Sequence, residues 1–187
     1  MNIPNKITLF RIILVPFFIF FAAFDFVKNS GIWGLVVFAI ASLSDCLDGY
    51  LARKNNTITD FGKLMDPLAD KILVVSALII LSTQGFINNI LVIIIISRDF
   101  IIDSIRLLAS NQGKVIAADI WGKLKTVFQM IAIIVFLVYK AFKNILLEYI
   151  LSYIKCFGSF LIYIATILTI FSAVNYIIKN YEYFKIK

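Results

Sequence analysis

Four aspartates at helical spacing are the residues of this sequence best suited to chemistry. Asp45 and Asp48 are three residues apart, and Asp66 and Asp70 are four residues apart. On an α-helix, residues at these separations lie on the same face. Two facing helices joined by the polar turn at 54–59 would therefore bring four carboxylates together. Because like charges a few ångströms apart cannot all stay ionised, such a group requires protons or cations, and a bound metal ion is the simplest solution.

The absence of histidine narrows the kind of metal that this sequence can hold. None of the 187 residues is a histidine, and Cys46 and Cys156 fall in different predicted helices without zinc-type spacing. Oxygen ligands favour hard ions such as Mg²⁺ or Mn²⁺ over zinc or copper. We interpret both cysteines as reduced residues buried in the core. Any general base must then be a carboxylate, a lysine, a tyrosine or a cysteine.

The elements that position these aspartates are predicted to be membrane-spanning helices. Of the residues, 61% are hydrophobic, and the mean hydropathy of +0.96 exceeds that of ordinary soluble domains. Apolar runs of roughly 17–25 residues, long enough to cross a bilayer as helices, begin near Ile7, Ile32, Phe61, Ile90, Ile120 and Leu151. We expect an all-α polytopic membrane protein with six transmembrane helices, preceded by a short interfacial segment at residues 1–6. Residues 1–187 then form a single membrane domain.

The distribution of lysine and arginine predicts the orientation of these helices. Six helices leave both termini on one side, and that side holds all of the 18 basic residues except Lys28, Lys140, Lys143 and Lys155. Because cytoplasmic loops carry the excess of positive charge, we expect the termini and the aspartates to face the cytoplasm. The net charge of +7 then attracts anionic membrane lipid. Nucleic acid is not expected as a partner, since no soluble domain is available to present a groove.

Charged residues inside the fourth predicted helix form a second candidate site. Asp99, Asp103 and Arg106 follow one another at offsets of four and three residues. They therefore share one stripe, which Arg98 flanks. Charges within a membrane span usually face the protein interior or a wet cavity. Here they could bind a ligand, or they could form an internal salt bridge.

The aspartates belong to a longer pattern, D-x2-D-G-x2-A-R-x8-G-x3-D-x3-D. Its fixed positions are filled by Asp45, Asp48, Gly49, Ala52, Arg53, Gly62, Asp66 and Asp70. At each of these positions the pattern resembles the signature of the CDP-alcohol phosphotransferase family. That family has six transmembrane helices, with the signature at the cytoplasmic end of the second and third. The resemblance therefore extends over essentially the whole chain.

The resemblance implies displacement at phosphorus. In the family, an alcohol attacks the β-phosphorus of a CDP-linked lipid or alcohol and CMP leaves, with divalent cations (here Mg²⁺ or Mn²⁺) neutralising the phosphate charge. By resemblance, the metal ligands are Asp45, Asp48, Asp66 and Asp70, and Asp70 is also the general base. The resemblance assigns CDP-lipid binding to Asn5, Thr8, Arg11, Asp48, Gly49, Ala52, Arg53 and Gly62. For Arg11, the spacing alone leaves open that the side chain extends to the lipid headgroups.

Three further segments select a subgroup within the family. They are P-N-x-I-T-x-x-R at residues 4–11, the stretch from Arg98 to Arg106, and G-K-x-K-T-x-x-Q at residues 122–129. They are similar to the members that join CDP-diacylglycerol to glycerol 3-phosphate. Because an anionic acceptor needs cations, four basic residues are assigned to its phosphate: Arg98, Arg106, Lys123 and Lys125.

Several alternatives to this assignment remain. A sibling enzyme could use CDP-diacylglycerol with phosphatidylglycerol, inositol phosphate or serine as its acceptor. A divalent-cation transporter would also place carboxylates within the membrane. The family further implies a homodimer formed through lipid-facing helices.

Overall fold

The computed structural model of the chain describes residues 3–24, 27–55, 60–111 and 119–179, with residues 3–6, 45–55, 60–64, 66–67, 108 and 111 described by their backbone alone. The described residues form helices and no strand, which confirms the all-α prediction for them. The helices are α1 (Ile3–Ala23), α2 (Ser30–Asn55), α3 (Asp60–Thr83), α4 (Asn89–Asn111), α5 (Ile120–Phe142) and α6 (Glu148–Lys179). Since α1 begins at Ile3, the predicted interfacial segment is helical from Ile3 onward and continuous with α1.

The turn between α3 and α4 is built from specific capping residues. Gly85 has a φ of 75°; its amide donates to the Ser82 carbonyl at 3.0 Å, and the next amide donates to the Leu81 carbonyl at 2.9 Å. This is the Schellman arrangement, in which a left-handed glycine ends a helix. Asn88 then accepts a hydrogen bond through Oδ1 from the Ile90 amide at 2.9 Å, as an N-cap residue does. These local hydrogen bonds set α3 and α4 antiparallel to each other.

The six helices share one apolar core. Helix α1 packs against α2 and α3, α5 packs against α2 and α6, and α4 packs against α6 and α3. The rings of Phe18 and Phe38, both fully buried, lie 5.4 Å apart between their centroids and join α1 to α2. A second, smaller cluster of Ile102, Ile105 and Tyr176 joins α4 to α6. This packing leaves space between α3, α4 and the start of α5.

A buried lysine fastens the end of the bundle that lies away from the aspartates. Lys140, in the last turn of α5, is 5% exposed, and its Nζ donates to the Ala22 carbonyl at 2.5 Å. Gln84 Nε2 donates to the same carbonyl at 2.8 Å. This carbonyl lies in the last turn of α1, where backbone oxygens have no helical partner. A Cβ atom on Gly31 would lie 2.7 Å from the Lys140 carbonyl oxygen, so a glycine is required where α2 crosses α5.

Two helices, α5 and α6, are long and apolar enough to cross a membrane by length and composition. Shorter apolar stretches occupy Ile7–Ala23 and Ser30–Ser44. In the described part of the chain, length and composition thus support two of the six predicted membrane spans.

The outer surface of the helices is apolar, and it includes Cys156. This cysteine is free, as predicted, but it is exposed, so the prediction that it is buried is wrong. It lies on α6 between the exposed side chains of Tyr153 and Phe160. An apolar exterior accommodates a weakly polar thiol as readily as a core does. The side chain of Cys46 lies outside the described residues.

Candidate active site

The predicted carboxylates lie on two helices that contact each other. Asp45 and Asp48 lie in the second half of α2, and Asp66 and Asp70 lie in the first half of α3. Asp70 is half-buried and lies on the wall of a cavity. The remaining signature positions and one position of α1 lie outside the described side chains: Asn5, Asp45, Asp48, Gly49, Ala52, Arg53, Gly62 and Asp66. Their predicted roles therefore stay predictions.

A cavity of about 770 Å³ opens between α3, α4 and the start of α5, next to Asp70. Its lining includes the four basic residues that the sequence assigns to an acceptor phosphate, namely Arg98, Arg106, Lys123 and Lys125. A volume of this size lies within the range of small-molecule sites. One carboxylate of the signature and cations from two other helices thus surround the same space.

Lys125 is the most deeply buried cation of this cavity. Its side chain is 0% exposed, and its Nζ donates to both carboxylate oxygens of Asp99, at 2.8 and 2.7 Å. A buried ammonium is costly unless it is paired and hydrogen-bonded, and Asp99 meets both requirements. Lys125 therefore neutralises a carboxylate on the cavity wall and leaves almost no surface of its own for a ligand.

Arg98 links α4 to α6 across the beginning of α5. Its Nη1 lies 3.2 Å from Asp99 Oδ1, and its Nη2 donates to Ser172 Oγ at 2.5 Å. The side chain is 11% exposed, and its Nε has no hydrogen-bond partner among the described residues. A guanidinium carries five N–H donors. Arg98 therefore keeps donors beyond those that hold it in place.

Arg106 and Lys123 are the cavity cations that form no ion pair with any described side chain. The Arg106 guanidinium carbon lies 5.7 Å from the centre of the Tyr176 ring, within cation–π range. Its buried Nε finds no hydrogen-bond partner among the described residues. Lys123 is exposed on the cavity wall in the first turn of α5. These two side chains have the most charge left for an anionic ligand.

Lys71 is a residue of this cavity that the sequence does not single out, since by sequence it is one of many basic residues on the predicted cytoplasmic side. Lys71 lines the cavity and forms an ion pair with Asp103 of α4. Both acids of the α4 stripe are paired, but with cations outside the stripe: Asp103 pairs with Lys71 and Asp99 pairs with Lys125. Two signals were available: Lys71 directly follows Asp70, and a carboxylate inside a predicted span needs a counter-ion.

Hydrogen bonding and ring packing fasten the start of α5 to α6. Asp119 precedes α5 but makes no capping hydrogen bond through its side chain. Its Oδ2 accepts a hydrogen bond from Asn175 Nδ2 at 3.1 Å. One turn away, the rings of Trp121 and Phe171 meet edge to face with centroids 5.0 Å apart. These contacts fix the helical turn that carries Lys123.

Thr8 and Arg11 of α1 are buried on the same helical face. Their side chains are 1% and 0% exposed, and both interact with other protein groups. The idea that Arg11 extends to the lipid headgroups is therefore wrong, because its guanidinium is enclosed by protein. The role of Thr8 and Arg11 in binding CDP-lipid stays a prediction. It would require the CDP-lipid site to reach the interior of the bundle, where both side chains lie.

The chemistry of the donor set fits a hard divalent cation. Asp45, Asp48, Asp66 and Asp70 offer only carboxylate oxygens, which suit Mg²⁺ or Mn²⁺. Among the described side chains, no group of three His, Cys, Asp or Glu residues could hold a metal ion. Three of the four candidate ligands, Asp45, Asp48 and Asp66, are not among the described side chains.

Comparison with known proteins gives a consistent result along the whole chain. Residues 1–171 match the family model described as CDP-alcohol phosphatidyltransferase. The chain is similar to the CDP-diacylglycerol–glycerol-3-phosphate 3-phosphatidyltransferase of Bacillus subtilis, with 40% identity over 98% of this chain and 97% of the relative. A protein of the same name from Haemophilus influenzae is 39% identical over 94% of this chain and 91% of the relative. Another protein of this name, from Rickettsia bellii, is 33% identical over 98% of this chain and 94% of the relative.

Proposed function

The chain belongs to the family of CDP-alcohol phosphatidyltransferases, and we propose that it transfers the phosphatidyl group of CDP-diacylglycerol to glycerol 3-phosphate. This is the reaction for which its relatives are named. The products are phosphatidylglycerophosphate and CMP. The observation that carries the proposal is the cavity in which Asp70 shares the wall with Arg98, Arg106 and Lys123. A candidate base beside phosphate-binding cations suits an acceptor that has both a hydroxyl and a phosphate.

The reaction is a displacement at the β-phosphorus of the CDP-lipid. The acceptor hydroxyl oxygen forms a bond to this phosphorus, and the bond from the phosphorus to the bridging oxygen of CMP breaks. Asp70 accepts the hydroxyl proton as the general base. Its position on the cavity wall supports this role, because a base must lie within hydrogen-bonding reach of the proton that it removes.

The CDP-lipid is proposed to bind where α1, α2 and α3 meet. The candidate residues are those the family signature and α1 supply: Asn5, Thr8, Arg11, Asp48, Gly49, Ala52, Arg53 and Gly62. A divalent cation held by Asp45, Asp48, Asp66 and Asp70 would neutralise charge on the phosphates and on the leaving group. Burial of Thr8 and Arg11 supports a polar site within the bundle.

The acceptor phosphate is proposed to bind to Arg98, Arg106 and Lys123. Arginine forms bidentate hydrogen bonds with phosphate oxygens, and Arg106 has a buried Nε without a hydrogen-bond partner among the described residues. Lys125 is proposed to have a different role from these three residues. Because its ammonium is enclosed and bound to both oxygens of Asp99, it acts on the acceptor site by keeping Asp99 neutralised.

We propose that all six helices cross the bacterial plasma membrane, with the termini and the active site on the cytoplasmic side. Support comes from the apolar exterior of the bundle, which includes exposed Phe17 on α1, Ile93 on α4 and Phe160 on α6. Exposed apolar area of this extent marks a membrane or protein contact. The same surfaces are available for a homodimer. Labelling of single introduced cysteines from either side of the membrane in spheroplasts would test the orientation.

The acceptor is tested by a panel of alcohols. Purified protein in detergent with CDP-diacylglycerol and Mg²⁺ or Mn²⁺ should release CMP with glycerol 3-phosphate. Phosphatidylglycerol, inositol phosphate and serine should give only background release. Turnover with one of these instead would assign the chain to a sibling activity, and no release with any acceptor would contradict the proposed enzyme function. A divalent-cation transporter is no longer a competing reading, because the family is one of transferases.

A further inference from the structure

We propose that Ser172 of α6 is a positioning residue for Arg98 and fixes the guanidinium that receives the acceptor phosphate. The inference rests on the proposed function and goes beyond the family signature, because α6 contributes no residue to that signature. Ser172 is fully buried, and its Oγ lies 2.5 Å from Arg98 Nη2. This hydrogen bond joins residues 74 positions apart in the chain.

The hydrogen bond restricts the rotation of the Arg98 side chain. Asp99 accepts from Nη1 at 3.2 Å, and Ser172 accepts from Nη2 at 2.5 Å, so each terminal nitrogen has one fixed partner. With two partners in different directions, the plane of the guanidinium is set, and the N–H groups that remain are available to a ligand. Asp99 alone would hold only one end of the group. A phosphate site gains affinity when its donors are held in place before the ligand binds.

Gly122 allows the side chain of Arg98 to reach Ser172. A Cβ atom at position 122 would lie 3.1 Å from Arg98 Nη2 and 3.5 Å from Ser172 Oγ. The first of these distances is tighter than ordinary van der Waals contact, so any side chain there would displace the guanidinium. The glycine of the G-K-x-K-T segment therefore serves the contact between Arg98 and Ser172. Substitution of Gly122 is therefore an independent way to disturb the hydrogen bond between Arg98 and Ser172.

Ser172→Ala tests the inference with little change in volume. The KM for glycerol 3-phosphate should rise roughly tenfold, as expected when a hydrogen bond to a charged group is lost. The kcat and the KM for CDP-diacylglycerol should stay within about twofold, since the other substrate does not use Arg98. Ser172→Thr, which retains the hydroxyl, should keep the wild-type KM. Gly122→Ala should raise the same KM by a smaller factor.

Thr169→Val provides the matched control. Thr169 is also fully buried on α6, but its hydroxyl donates to the Ala165 carbonyl at 2.6 Å within its own helix. Loss of this hydroxyl should leave both KM values unchanged. If Thr169→Val and Ser172→Ala changed the two KM values equally, Ser172 would have only a structural role.

The outcomes separate this inference from the proposed function. If the wild-type protein uses glycerol 3-phosphate and Arg98→Ala raises its KM, an unchanged KM in both Ser172→Ala and Gly122→Ala overturns the inference alone. If the wild-type protein uses another phosphorylated acceptor, the proposed acceptor fails, and the same comparison with that acceptor decides the role of Ser172. Turnover only with serine, which has no phosphate, would overturn both.

Discussion

Helix α5 buries a lysine near each of its ends, and the two lysines lie in different surroundings. Lys125 contacts an ionised side chain, Asp99, on the wall of the cavity. Lys140 lies at the other end of α5, away from this cavity, and its contacts include the Ala22 carbonyl oxygen in the last turn of α1. The first arrangement keeps a carboxylate neutralised beside the cavity, and the second lies at the end of a helix. Burial of a charged residue thus does not identify a functional site, whereas an adjacent cavity does point to one.

Substitution of Asp70 should have the largest effect at the cavity end. Asp70→Asn should lower kcat by about a thousandfold, within the range for loss of a general base. Binding of CDP-diacylglycerol should persist, because the amide retains the shape of the carboxyl group. CMP release and equilibrium binding of the CDP-lipid to the detergent-solubilised protein measure the two quantities. Loss of CDP-lipid binding would instead show that Asp70 acts mainly as a metal ligand.

Replacing the two buried lysines tests the contrast between the ends of α5. Lys125→Met leaves Asp99 without its main partner, so Arg98 should turn toward Asp99 and away from the cavity. We expect the KM for glycerol 3-phosphate to rise about thirtyfold, in line with the loss of a charge-assisted contact. Stability should fall by about 2 kcal/mol, less than for a wholly buried pair because Asp99 is partly exposed.

Lys140→Met is the matched control at the opposite end. It removes the hydrogen bond to the Ala22 carbonyl, which still accepts from Gln84, together with the other contacts of Lys140 at this end of the bundle. Thermal unfolding in detergent should show a loss of stability, and the KM for glycerol 3-phosphate should not change, because Lys140 lies away from the cavity. Equal effects of the two substitutions on this KM would contradict the distinction between a site lysine and a structural lysine.

The smallest effect is expected at the exposed lysine of the cavity. Lys123→Ala should raise the KM for glycerol 3-phosphate by about fivefold, and the effect should shrink at high salt because exposed charges are screened. Lys143→Ala, at the exposed far end of α5, should leave the KM unchanged. A similar increase in both variants would indicate a general effect of surface charge. Initial rates of CMP release at two ionic strengths measure the difference.

The sequence predicts the helices well because long apolar runs and short polar turns leave few alternatives. It does not separate Lys123 from Lys125, which it assigns to the same phosphate. On a helix each residue turns by about 100°, so residues two positions apart point in different directions. One lysine consequently faces the cavity opening, and the other faces Asp99 in the interior. Only the ion pair between Lys125 of α5 and Asp99 of α4 reveals which is which.

Two residues of the cavity region could not be assigned from the sequence for different reasons. Ser172 is an isolated serine in the apolar helix α6 and carries no local signal. Its contact with Arg98 depends on the crossing of three helices. Lys71 resembles other basic residues near the predicted cytoplasmic side, and its pairing with Asp103 requires the packing of α3 on α4. Long-range contacts of this kind are a property of the fold and are not encoded in a spacing pattern.

Discrimination between glycerol 3-phosphate and glycerol by wild-type and Arg106→Ala protein is the most direct test of the acceptor site. The wild-type kcat/KM should favour glycerol 3-phosphate by at least about a hundredfold, and Arg106→Ala should lower that kcat/KM by about thirtyfold with no change for glycerol. Such a result would show that the cavity recognises the phosphate group of the acceptor. An equal loss for both alcohols would contradict it and assign Arg106 to packing on Tyr176.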